Sequence, residues 1–161
     1  ASVLPFRHSV DELIEVMKPW YGNYCFDNSE CGMAIIYNPA MALNFVDNYI
    51  QSNYEIPKKP CEVISSTDHE IVRQLIRYAK EFAHDSSIIE DIMTKGFALG
   101  YLLDIFPATS INTPDGILSL LFNLGMVTID GTYQSYTRFV ITNEAVRKQM
   151  QTNLQIVLSP I

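Results

Sequence analysis

TPDGILSLLFNLGMVTIDGTYQSYTRFVITNEAV, residues 113–146, reads as a buried helix, a strand, a turn, a second strand and the start of a last helix. Thr113 is placed to cap the helix, Pro114 suits its first turn, and Gly125 is placed to close it with a left-handed residue. Ile117, Leu118, Leu120, Leu121, Phe122 and Leu124 leave almost no polar face, which predicts a helix covered on most sides. Val127 and Ile129 then alternate with Thr128 and Asp130. The Asp130-Gly131 pair reads as the turn, and Phe139 and Ile141 give the apolar side of the returning strand. A last helix is expected from about Asn143, with Val146, Met150, Leu154 and Val157 inward.

Working back from this stretch, Phe97 to Phe106 reads as an apolar helical piece ended by Pro107. Ser87 with Glu90 opens a short helix that stops near Gly96, and Thr67 with Glu70 opens another carrying Ile71, Val72, Leu75, Ile76, Ala79 and Phe82. Asn38-Pro39 marks a helix start, because Asn caps well and Pro suits the first helical position. That helix should run to about Ser52. Ser9 with Glu12 predicts a first helix ending near Lys18, ahead of Pro19, and the aromatic stretch after it returns through Ala34 to Tyr37 as a β-hairpin. The chain is thus expected to be α+β and mainly helical. A helix-hairpin-helix subdomain would occupy residues 1–65, and a helical subdomain with a winged-helix-like end residues 66–161.

With 161 residues, 48% of them hydrophobic, the chain is long and apolar enough to bury a core. Its net charge is −7, whereas nucleic-acid binding rests on basic surface. From Ser110 onward the acids Asp115, Asp130 and Glu144 balance Arg138, Arg147 and Lys148. No Lys or Arg lies between Pro114 and Gly125 to reach phosphates or base edges. These counts favour a packing module over a DNA reader. The apolar runs are too short to span a bilayer, so no membrane partner is expected. Cys25, Cys31 and Cys61 are odd in number and lack CxxC spacing, which reads as redox-silent thiols in a reduced, cytoplasmic setting.

Several segments carry a resemblance. SLLFNLGMVTI followed by FVITNEAVRKQM resembles the end of the bacterial AAA-ATPase-like family, and KPWYGNYCF, YNPAMALNF, STDHEIVRQLIRYAK and SSIIEDIMTKG resemble that family's preceding segments in the same order. The match covers most of residues 9–150. It departs at Thr142, where Pro is usual, at Asn23, where Asp is usual, and at Gly116, where an aromatic is common. Gly116 should cost a helix interior about 1 kcal/mol relative to Ala. The resemblance implies a C-terminal lid, linker or relay following an upstream P-loop core that would hold ATP and Mg²⁺, with a PD-(D/E)xK nuclease-like module often downstream. It also leaves open self-association through a surface that normally meets the core. A stand-alone protein-interaction module is the rival reading.

No catalytic, cofactor or metal site is read in the chain itself. A phosphate-binding loop needs GxxxxGK[ST], and none of the six lysines is preceded by Gly or followed by Ser or Thr. Arg73 and Arg77, four apart on one helix, could face a phosphate of a neighbouring core or pair with Glu70 and Glu81. Trp20, Tyr21, Tyr24 and Tyr37, with Phe26 and Asn38, are the interaction candidates; the plainer reading is a subdomain core. A zinc site from His8, Cys25 and Cys31 lacks a fourth ligand, and Cys61 with His69 or His84 lacks an orienting group. Glu90 and Asp91 read as solvated helix charges.

Overall fold

Capping decides where most of the helices begin. In this computed structural model, residues 6–25, 36–58, 70, 73–74, 76–78, 87–105, 110 and 113–158 are described. Helix α1 spans Val10–Tyr21. The Glu12 N–H donates to Ser9 Oγ at 3.2 Å, and the Ser9 N–H returns a bond to the Glu12 carboxylate at 2.7 Å. The expected stop near Lys18 is corrected, since the helix runs through Pro19 and closes where Gly22 N–H donates to the Lys18 carbonyl at 3.1 Å. Proline removes one helical bond on an exposed stretch, whereas the extra turn buries Tyr21 to 1% exposure.

Helix α2, Pro39–Gln51, starts where the Asn-Pro signal places it, with Asn38 Oδ1 accepting from the N–H groups of Ala40 and Met41. The expected hairpin is represented by a single antiparallel bridge, Tyr24 to Ile36, and its loop lies outside the described residues. So do Thr67 and most of the helix expected after it, of which Glu70, Arg73, Gln74 and Ile76 to Tyr78 are helical. Helix α3 is Ser87–Lys95.

Of the helix expected over Phe97 to Phe106, the described residues 97–105 are not helical. Phe97–Gly100 forms strand β1, antiparallel to a later strand, with Ala98 and Gly100 inward. A short apolar run carries no decisive period. At Gly100 the approach is close: a Cβ would meet the side-chain ends of Leu118 at 2.5 Å and Asp115 at 2.7 Å, and both would have to shift to admit one.

Helix α4, Pro114–Asn123, is capped by Thr113, and Ile117, Leu118, Leu121 and Phe122 are buried along it. It ends in a Schellman arrangement: Gly125 N–H donates to the Phe122 carbonyl, Met126 N–H donates to the Leu121 carbonyl, and Gly125 is left-handed at φ +71°. Strands β2, Val127–Tyr133, and β3, Tyr136–Ile141, follow, giving a three-stranded antiparallel sheet in the order β1-β3-β2. The turn expected at Asp130-Gly131 is instead a bulge, where the register shifts between Ile129 and Thr132. The chain reverses four residues later at Gln134-Ser135, both with positive φ (48° and 71°), as a two-residue primed turn requires. Helix α5, Glu144–Leu158, is capped by Asn143, whose Oδ1 accepts from Val146 N–H at 3.0 Å.

The fold is therefore α+β and mainly helical. The inner face of the sheet, with Ala98, Val127, Phe139 and Ile141, packs on Ile89 and Ile92 of α3, on the apolar side of α4 and on Val146 and Met150 of α5. A smaller cluster joins Tyr21, Met41 and Phe45 to Ala145, so α5 also meets the α1–α2 pair. The expected subdomain boundary near residue 65 lies outside the described residues. Cys25 is disulfide-bonded, which corrects the expectation of a redox-silent thiol there and removes the thiol argument for a reducing compartment. Cys31 and Cys61 lie outside the described residues. No helix among the described residues is long and apolar enough to cross a membrane.

Candidate functional site

Four segments far apart in sequence meet where α1 ends, α2 begins, α4 ends and α5 begins. Asn143 Nδ2 donates to the Gly22 carbonyl at 2.9 Å across 121 residues, within buried surroundings. The Asn38 N–H donates to the Tyr21 carbonyl at 3.3 Å, and the Tyr24 N–H to the Ile36 carbonyl at 3.2 Å. Thr142 Oγ1 donates to the Gly125 carbonyl at 2.7 Å, while its N–H donates to the Met126 carbonyl at 3.2 Å. Proline at 142 would supply neither donor. Asn23 sits at φ +66°, a left-handed position that Asn tolerates better than most residues.

Beside this node lies a groove of about 340 Å³, walled by Tyr24, Ile36, Tyr37, Asn38 and Pro39 on one side and Asn123, Leu124 and Gly125 on the other. Tyr24 turns one ring edge to Gly125, where a Cβ would meet its Cδ1 and Cε1 at 3.1 Å. Partial burial, then the negative charge of Glu15, raise the Tyr37 phenol above its ordinary pKa of 10.0. Among the lining residues, none is acidic or basic, so the groove offers apolar contact with a few hydrogen-bonding tips.

The aromatic candidates divide between this groove and the core. Tyr21 is buried, its ring 6.2 Å from Phe45 in an edge-on arrangement. Tyr24 belongs to the main core and Tyr37 packs against the smaller one. Trp20 carries the Lys148 ammonium 5.0 Å from its ring centre, joining α1 to α5. Asn38 spends its side chain on the α2 cap. Phe26 lies outside the described residues. The two arginines also part: Arg73 donates to Asn153 of α5 at 3.2 Å and pairs with Glu70 at 3.6 Å, whereas Arg77 is exposed. Glu81 lies outside the described residues.

His8 shares a 3.0 Å hydrogen bond with the Tyr49 hydroxyl, and Cys25, held in a disulfide, is not a thiolate ligand. Cys61, His69 and His84 lie outside the described residues. Asp91 pairs with Lys95 at 2.9 Å one turn on, and Glu90 is exposed. Sequence reasoning passed over Asn143 and Thr142 as joints between the halves. The signal available was a cap-competent Thr-Asn pair at a strand-helix junction, which says nothing about a partner more than a hundred residues away. Comparison with protein-family models, curated proteins and solved structures finds no match.

Proposed function

We propose that this chain is a non-catalytic lid or relay portion of an AAA-ATPase-like protein, coupling an upstream P-loop core to parts downstream. The observation that carries the reading is the convergence of the resembling segments. WYGNYC, YNPAMALNF, LGMV and ITNEAV supply Gly22, Asn38, Gly125, Thr142 and Asn143 to one hydrogen-bonded node. Motifs that serve one joint are expected to occur together and in order. The winged-helix reading of the C-terminal part is supported by a helix leading into a hairpin and by the strand order β1-β3-β2. DNA reading by that unit is disfavoured, because α4 is buried along most of its length and carries no cation. In this reading ATP and Mg²⁺ bind the upstream core, and Arg73 is a tie to α5 before it is a phosphate contact.

The test is a thermal-shift titration with magnesium ATP and ADP, on this chain and on a longer form carrying the upstream residues. Ligand at a hundredfold its dissociation constant stabilises whichever protein binds it by about 2.7 kcal/mol. A shift confined to the longer form supports the relay. A shift in this chain alone sinks it.

A stand-alone interaction module is the second reading, and α2 favours it. Met41, Phe45 and Tyr49 face the core, while Leu43, Val46 and Ile50 are exposed on the opposite side, Leu43 at 71%. A helix apolar on both faces is usually covered on both.

A further inference from the structure

The turn that ends α2 holds two residues in succession in the left-handed region, Asn53 at φ +55° and Tyr54 at φ +62°. Asn tolerates that conformation. For a bulky ring it is an outlier, and such strain persists only where the surroundings over-determine it. The backbone supplies part of the hold, since Tyr54 N–H donates to the Tyr49 carbonyl at 2.9 Å and Glu55 N–H to the Ser52 carbonyl at 3.2 Å. The rest comes from the three residues ahead of the Ser9 cap. Phe6 meets the Tyr54 ring edge-on with centroids 5.2 Å apart, and Tyr54 meets Tyr49 in the same way at 5.6 Å. The His8 ring centre lies 5.7 Å from that of Tyr49, whose hydroxyl shares the 3.0 Å hydrogen bond with His8. Arg7 pairs with Glu55 at 3.4 Å. Residues 6–8 thus fasten onto Tyr49, Tyr54 and Glu55, all at the C-terminal end of one helix.

The two sides of this contact differ in strength. Tyr49 is buried, whereas Phe6 is 51% exposed and the Arg7–Glu55 pair is exposed on both sides, where an ion pair contributes little. Little free energy is therefore needed to lift residues 6–8, and lifting them leaves Tyr54 strained with one ring neighbour fewer. A weak fastening over a strained turn is an element with two states of close energy, the condition under which a small displacement is amplified. We propose that residues 6–8 are a releasable strap that locks the left-handed turn after α2, so that a pull on the chain ahead of Phe6 frees Tyr54 to relax and loosens the end of the helix. Its use as a signal rests on the relay reading, in which the upstream core is joined through this segment.

Nuclear magnetic resonance of the 161-residue chain tests the strap, because a residue at positive φ brings its own amide and α hydrogens to their closest approach and gives a strong contact between them. Phe6→Ala with His8→Ala should abolish that contact at Tyr54, while the signals of α4 and the sheet stay in place. If the double variant does not fold, Phe6→Ala alone keeps the partner of the Tyr49 hydroxyl and should weaken the same contact. Tyr54 remaining left-handed in these variants overturns the proposal. So does a change spread through α4 and the sheet, which would make Phe6 and His8 ordinary core contacts. In a longer form carrying the upstream residues, magnesium ATP should alter the strength of the Tyr54 contact. Nucleotide binding there with no change at Tyr54 overturns the strap as a signal. Failure of the relay reading looks different: the longer form binds no nucleotide, and the strap substitutions still free Tyr54.

Discussion

Glycine at 125 answers two constraints at once. Its φ of +71° lies where an L side chain is strained by about 1–2 kcal/mol, and a methyl there would crowd the edge of the Tyr24 ring at 3.1 Å. Gly125→Ala should destabilise the chain by about 2 kcal/mol, read as a lower urea midpoint with unchanged slope. Gly116 is a sharper case, because two effects oppose. Helix propensity alone says that Gly116→Ala gains about 1 kcal/mol. A Cβ there would collide with the Ser110 carbonyl oxygen, which is backbone and does not move aside cheaply. The expected outcome is a net loss of stability in chemical denaturation; a gain would mean that the Ser110 turn relaxes freely. The sequence shows Gly116 only as a weakness in a helix. Its reason lies in a turn packed against the helix start, which no local pattern records.

At the scale of elements, caps were legible and the β-structure was less so. Ser9, Asn38 and Thr113 each cap the helix that their spacing predicts, because the donor and acceptor are within three residues of each other. The β1 strand is not legible locally, because its partner is some forty residues away and a run of four apolar residues fits either period. The β2–β3 hairpin lies where the alternation places it and its turn does not, since Asp130-Gly131 is a good turn dipeptide that the structure uses for a bulge. The true turn, Gln134-Ser135, holds two residues in left-handed conformation without the usual Asn or Gly. Replacing them with Asn-Gly should therefore stabilise the hairpin by about 1 kcal/mol or more, seen as a higher melting temperature with the sheet's circular dichroism unchanged. In α1, the Ser9 N–H and then the Ser9 hydroxyl hold the Glu12 carboxyl below its usual pKa. Its contribution is present above the unfolded carboxylate pKa and is lost as pH falls through the lowered folded value. The first turn of α1 should fray in acid, and Glu12→Gln should flatten that pH dependence while lowering helicity at neutral pH.

Across the whole molecule, the question is whether residues before and after the middle of the chain unfold together. Two contacts make the joint: Asn143 caps α5 and also donates to Gly22, and Trp20 lies under Lys148. Trp20 is the one tryptophan, so its fluorescence reports the α1–α5 contact, while far-ultraviolet circular dichroism reports the helices as a whole. If the node couples the halves, the two signals should melt at one temperature, as a two-state unit does. Asn143→Ala removes a helix cap and leaves the buried Gly22 carbonyl without its donor, a loss of about 2–3 kcal/mol, and both signals should fall together. Two independent subdomains would give a different result, with Trp20 changing first and the bulk of the helical signal untouched by the substitution. That outcome would also remove the structural basis for a relay, because a joint that opens without disturbing either side transmits nothing.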